Sequence, residues 1–275
     1  MLCRLTLTVT VRMKFRFIDV DIVDSIYGVA LFEAIMKSVE NGIVEDTILF
    51  WRPSKPAVYI GYHQLVHEEV NVDICKKRDI PIVRRILGGG TGYSDRNQII
   101  YNIIFREDNP IIPYGPRNVY RFILKGVVEA LYGIGIRNVE IDEERFGVYV
   151  NGKKISGSGQ LTSNGVVNSG GSFLIDFDFK TMKKILKNPV KNLKGDVENP
   201  EDGITYLKRE VRDIKMEDAK KALRNGFEKI LGRSHDGILS KYEKELADKL
   251  MDKYLDEKWI FRADIRNQKR QKRRE

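Results

Sequence analysis

Two cysteines in 275 residues, Cys3 and Cys75, are too few for a disulfide framework and carry no metal-ligand spacing. A reducing, cytoplasmic setting fits that scarcity better than a secreted scaffold. Three histidines, His63, His67 and His235, do not make a zinc centre an expectation. No apolar run approaches the roughly 20 residues a membrane-spanning helix needs. The opening MLCRLTLTVTVR lacks the apolar core and cleavage site of a signal peptide. Met13 begins a cleaner strand, MKFRFIDV, so residues 1–13 are expected to be an extension outside the fold. Internal repeats and low-complexity linkers are also missing. What remains, 42% hydrophobic and 32% charged, is the composition of one globular domain.

The net charge of +9 is unevenly spread, with seven Lys/Arg against two Asp/Glu between Arg262 and Glu275. No aromatics interleave there and no nucleic-acid module accompanies it, so residues 263–275 read as a solvated, frayed basic tail rather than a nucleic-acid arm.

Short strands come first and helices accumulate later. Behind Asp24 as N-cap, Ile26, Val29, Ala30, Phe32, Ala34 and Ile35 recur at helical spacing. ILFWR (48–52) and AVYIGY (57–62) are expected to pair antiparallel around Pro53-Ser54-Lys55-Pro56. A helix follows Asn71, and another runs from Pro116 to just before Gly133. Asn151-Gly152, between FGVYV and KKISGSGQ, is a strong hairpin signal. The expectation is an α+β domain around a mixed, largely antiparallel sheet flanked by helices.

Residues 83–95, VRRILGGGTGYSD, put three consecutive glycines beside two arginines and between two strands. Glycine costs roughly 0.5–1 kcal/mol relative to alanine inside regular structure. A hairpin turn or bulge would account for some of the run. A backbone without Cβ also lets an anion lie against N–H groups, and guanidinium forks favour phosphate or carboxylate. The spacing matches neither a Walker loop nor a dinucleotide fingerprint. A second stretch, NGKKISGSGQ (151–160), sends a lysine pair out of a turn onto a strand of small residues. Lys153 and Lys154 alone would read as exposed hairpin charges, but a lysine along a bare strand reaches a ligand held by the first loop.

Together, RRILGGGTGYSD and GKKISGSGQ resemble the two signatures of the lipoate–protein ligase A family, in the biotin/lipoate ligase superfamily. FWRPSKPAVYIGYHQ and EEVN match the family's supporting motifs in order, and the likeness spans roughly residues 14–262. The resemblance implies a biotin/lipoate ligase-like fold and a two-step reaction. Lipoate and ATP give lipoyl-AMP, and a carrier lysine then takes the acyl group. It implies Lys154 as the catalytic lysine bridging carboxylate and phosphate. Arg84 with Gly88, Gly89 and Gly90 would position the acyl-phosphate, leaving Arg85 as a charge at the sheet edge or one behind the site. Thr91, Tyr93, Asp95, Gly157 and Ser158 complete the implied substrate and ATP site. ATP implies Mg²⁺, for which Asp142 and Glu143 are the acidic candidates. The implied partners are lipoyl carrier domains, of the 2-oxoacid dehydrogenase E2 component and the glycine cleavage H protein. A separate protein supplying the family's C-terminal domain is a further expectation.

The family's two histidines are replaced here by Ser94 and by Gly170 of Gly170-Gly171-Ser172-Phe173-Leu174. That keeps a non-catalytic lipoyl-binding paralogue as an alternative. Octanoyl- and lipoyl-transferases of this fold use a cysteine, and residues 140–172 contain none, which favours a ligase over a thioester transferase. The arginine-rich loop of biotin ligases is missing.

Overall fold

The computed structural model describes residues 14–271, so the extension expected over 1–13 lies outside the described residues. The chain opens with β1 (Arg16–Val23) and β2 (Thr47–Pro53), then three short strands, β3 (Ala57–Ile60), β4 (Ile82–Arg84) and β5 (Gly92–Ser94). It continues through β6 (Gln98–Arg106), β7 (Val139–Asp142), β8 (Gly147–Val150), β9 (Lys153–Ser163), β10 (Val166–Leu174) and β11 (His235–Asp236). Eight strands hydrogen-bond in the order β11-β1-β2-β6-β10-β9-β8-β7, and β4-β3-β5 form a smaller sheet. In the large sheet β1 runs parallel to β2 and β11, and the other described pairings are antiparallel. This is the mixed, largely antiparallel α+β architecture the sequence implied.

Alternation along the central strands decides which helix covers which face. Ile48 and Phe50 of β2 join one apolar cluster with residues of helices Pro116–Gly133 and Met216–Leu231. Leu49 and Trp51 join another, with residues of helices Tyr27–Glu40 and Lys241–Leu255. The sheet is therefore buried on both sides. The first helix is capped as expected, with the Asp24 carboxylate accepting from the N–H groups of Ile26 and Tyr27 at 2.9 and 3.0 Å.

The expected pairing of residues 48–52 with 57–62 does not form. Both edges of β2 are occupied, by β1 and β6, so the chain leaves the large sheet after Pro53 and β3 pairs with β4 and β5. Pro53 and Pro56 read locally as a hairpin turn, but the intervening Ser54 N–H donates instead to Val23 O at 2.8 Å, stitching the crossover onto β1.

The tail read as frayed is helical from Arg262 to Gln271. Its anchor is Asp264, 7% exposed, whose carboxylate accepts from Val66 N–H at 3.0 Å and His67 N–H at 3.2 Å. Charge counting missed it because the one internal acid among the basic residues is the one that docks.

Helices Pro116–Gly133 and Met216–Leu231 touch backbone to backbone. A Cβ built on Gly226 would stand 2.2 Å from Gly126 O and 2.6 Å from Ala130 N. Gly226→Ala is expected to lower unfolding free energy by about 1–3 kcal/mol, as overpacking against atoms that cannot yield does. Denaturant midpoints of the two proteins check this, and an unchanged midpoint would mean the helices separate freely.

Candidate active site

The two glycine-rich stretches are pressed together. Gly88 N–H donates to Gln160 O of β9 at 3.1 Å. A Cβ on Gly89 (φ +95°) would lie 3.1 Å from Ser158 O, and one on Gly159 would lie 2.3 Å from Gly88 O. Three of the glycines thus permit backbone contact between loop and strand. Gly90 serves another approach, since a Cβ there would meet the Asn192 side chain at 2.6 Å.

The two arginines are placed the other way round from expectation: Arg84 lies behind the cavity and Arg85 lines it. Arg84, the last residue of β4, is 0% exposed and does not line the cavity. It donates to Ile260 O, Gly61 O and Tyr62 O, and lies 3.7 Å from Asp264. Arg85 points the other way, as alternation along an extended chain requires. It lines the cavity and donates to Tyr59 O, Gly88 O and Gly90 O, so it splints the glycine loop from inside. Burial holds both guanidinium groups down at about 10, with Asp264 opposing the shift at Arg84.

Lys154 enters from the β8–β9 hairpin. Asn151 and Gly152 both have positive φ, 50° and 76°, the pairing a tight primed turn requires. The strand is bare, as expected: a Cβ on Gly147 or Gly157 would sit 2.9 or 3.2 Å from Lys154 Cε. Its Nζ donates to Asn192 O at 3.4 Å. Burial pushes the ammonium down to about 8, with Asp142 opposing the fall and Arg145 adding to it.

Lys154, Gly157 and Ser158 line a cavity of about 410 Å³, with Gly89, Gly90, Thr91 and Tyr93 facing them. Its apolar walls come from both core clusters, including Val29, Phe32 and Trp51 from one and Leu174, Met182 and Leu186 from the other. The cavity sits at their seam. Thr91 donates to Gln64 Oε1, and Tyr93 donates to Asp95 at 2.8 Å. Asp95 and Gly88 stay behind the wall. Burial raises the Asp95 carboxyl, partly offset by hydrogen bonds from Asn97 N–H and Tyr93.

Asp142 and Glu143 do not fit a magnesium ion. Asp142 accepts from Glu144 N–H, Arg145 N–H and Arg145 Nη1, while Glu143 is held by Arg121. Among the described residues no three His, Cys, Asp or Glu side chains gather as a metal site. Arg145, Phe146 and Asn192, none of them anticipated, also line the cavity. Nothing in the sequence flags Asn192, which lies in the irregular stretch after helix Phe179–Ile185; Arg145 was legible only as part of a charged turn.

The fold is that of lipoate-protein ligases. A bipartite lipoate protein ligase of Thermoplasma acidophilum superposes with a TM-score of 0.79 at 24% identity, covering 91% of this chain and 97% of that one. A lipoate-protein ligase A bound with ATP gives 0.77 at 24%, covering 91% and 100%. Residues 24–228 match the lipoyl protein ligase A/B catalytic domain, and the chain belongs to that family. Among curated relatives, octanoyltransferase LipM of Clostridioides difficile (strain 630) is 30% identical over 258 residues, 84% of this chain and 93% of the relative. LipM of Halalkalibacterium halodurans is 27% identical over 273 residues, 90% and 99%.

Competitive labelling with an amine-reactive reagent, read by mass spectrometry, should give Lys154 a reactivity midpoint near pH 8. Asp142→Asn removes the opposing carboxylate and should move the Lys154 midpoint lower still; a midpoint near 10.5 in the wild type would contradict the buried environment.

Proposed function

We propose that this chain transfers an acyl group of the octanoyl or lipoyl type to the ε-amine of a lysine on a lipoyl carrier domain. One observation carries the reading: an apolar cavity of about 410 Å³ runs to a buried ammonium beside a glycine-lined backbone. An apolar chain fits the walls, and its carbonyl or carboxylate oxygen fits the cation.

The names of the relatives favour octanoyl transfer from a thioester donor. In that reaction the carrier's amine attacks the thioester carbon, a C–N bond forms, the C–S bond breaks, and the thiol leaves with the amine's proton. Lys154 stabilises the oxyanion that develops at the acyl carbon, where a fixed donor is worth most. No cysteine lines the cavity among the described residues, and burial pushes the Cys75 thiol up to about 11. In this reading transfer runs directly, without the cysteine that transferases of this fold use.

The same lack of a thiol favours a second reading. Here the free acid and ATP form an acyl-adenylate with release of pyrophosphate, and the carrier amine displaces AMP. A separate accessory domain would then assist the first step.

Purified chain, an apo lipoyl domain and either octanoyl-carrier thioester or octanoate and lipoate with MgATP separate the two, read by the mass of the carrier. Acylation from the thioester alone supports transfer, and ATP-dependent acylation with pyrophosphate release supports the ligase. Lys154→Met should slow the productive reaction by about 10²–10³-fold. No acylation from any donor would end the acyl-transfer reading.

A further inference from the structure

We infer that Arg145 is the second cation of the acyl headgroup site and that Asp142, one of two candidate metal ligands implied by the family resemblance, is there to aim it. The proposal rests on the second reading above, in which the acyl group arrives as a free carboxylate.

The turn between β7 and β8 is built around this one side chain. Asp142 Oδ1 accepts from the N–H groups of Glu144 and Arg145, both at 2.9 Å, and so fixes the backbone. Asp142 Oδ2 accepts from Arg145 Nη1 at 3.2 Å and so fixes the guanidinium. The next residue, Phe146, has φ +46°, which a bulky aromatic adopts only when its surroundings impose it. Two bonds impose it: Ser158 N–H and Ser158 Oγ both donate to Phe146 O, at 3.1 and 2.6 Å. Tyr120 stacks on its ring at 4.1 Å between centroids. Ser158 therefore holds the turn from the strand that carries Lys154.

The result is convergence. Arg145 and Lys154 both line the cavity, and both donate to successive carbonyls of one loop, Arg145 Nε to Leu193 O at 3.2 Å and Lys154 Nζ to Asn192 O at 3.4 Å. These are long bonds from charged donors to neutral acceptors. A carboxylate oxygen takes both donors at shorter range and with about twice the strength. Arg85, the other cation in the wall, is already committed to three carbonyls of the protein. The donor set thus selects an anionic headgroup over a neutral one of the same shape.

Calorimetric titration of the full chain with octanoate and with octanamide tests this, because the two differ in headgroup charge and not in chain. Wild type should bind octanoate more tightly. Arg145→Met should weaken octanoate at least tenfold and leave octanamide unchanged, Arg145→Lys should restore part of the difference, and Asp142→Asn should lose less than the methionine variant. Equal weakening of both ligands would make Arg145 merely structural and overturn the proposal, as would an unchanged preference. Wild type binding neither ligand also overturns it. Acyl transfer to the carrier on the same preparations then shows whether the functional reading survives alone or falls with it.

Discussion

The contact on which the site depends is between two backbones. Loop residues Gly88 and Gly89 rest on Ser158, Gly159 and Gln160 of β9, tightly at Gly88 and Gly89 and with no room for a Cβ at Gly159. Because the loop follows β4 of the small sheet and β9 belongs to the large one, this contact joins the two sheets. It also sets how far Lys154, on the same strand as Ser158, stands from the loop. A side chain at Gly159 would press against Gly88 O and push loop and strand apart. Glycine's conformational freedom matters at Gly89, whose φ is +95°; at Gly159 it is the missing volume that counts.

Electrostatics is layered onto that contact. Besides Arg145, three cations stand in or behind the cavity wall among the described residues, each answered differently. Arg84 donates to three carbonyls and leaves Nη2 without a hydrogen bond, 3.7 Å from Asp264, while Arg85 donates to Tyr59 O and to carbonyls of the loop it supports. Lys154 has one long bond and a pKa lowered by burial. Burying a charge without a strong partner is costly, and such residues concentrate where a ligand supplies the missing interaction. Of these cations, Lys154 is the one least satisfied by the protein itself.

Much of the fold was legible because its signals are local. Helix Pro116–Gly133 begins at its proline, the Asn151-Gly152 turn forms, and the glycines around Lys154 leave the strand bare. The pairing of β2 was not legible, since a turn signal at Pro53–Pro56 says nothing about whether a strand's edges are already taken. For the arginine pair, alternation required Arg84 and Arg85 to face opposite ways but did not say which faced the ligand. That was decided by residues 259–264, some 175 positions downstream. Asn192 and Arg145 reach the cavity through tertiary placement, and no local pattern distinguishes them from other loop residues.

Those downstream residues carry a consequence for how the site comes into being. Arg84 Nε donates to Ile260 O, Trp259 Nε1 donates to Arg84 O, and Asp264 stands beside the same guanidinium. A chain still emerging from the ribosome, with its first 250 or so residues free, would have both sheets and every cavity-lining residue. It would nonetheless hold a buried arginine lacking three of its neighbours, immediately before the glycine loop. Desolvating that charge is unfavourable until the last turns arrive. The buried guanidinium therefore gains its last partners only once nearly the whole described chain is present.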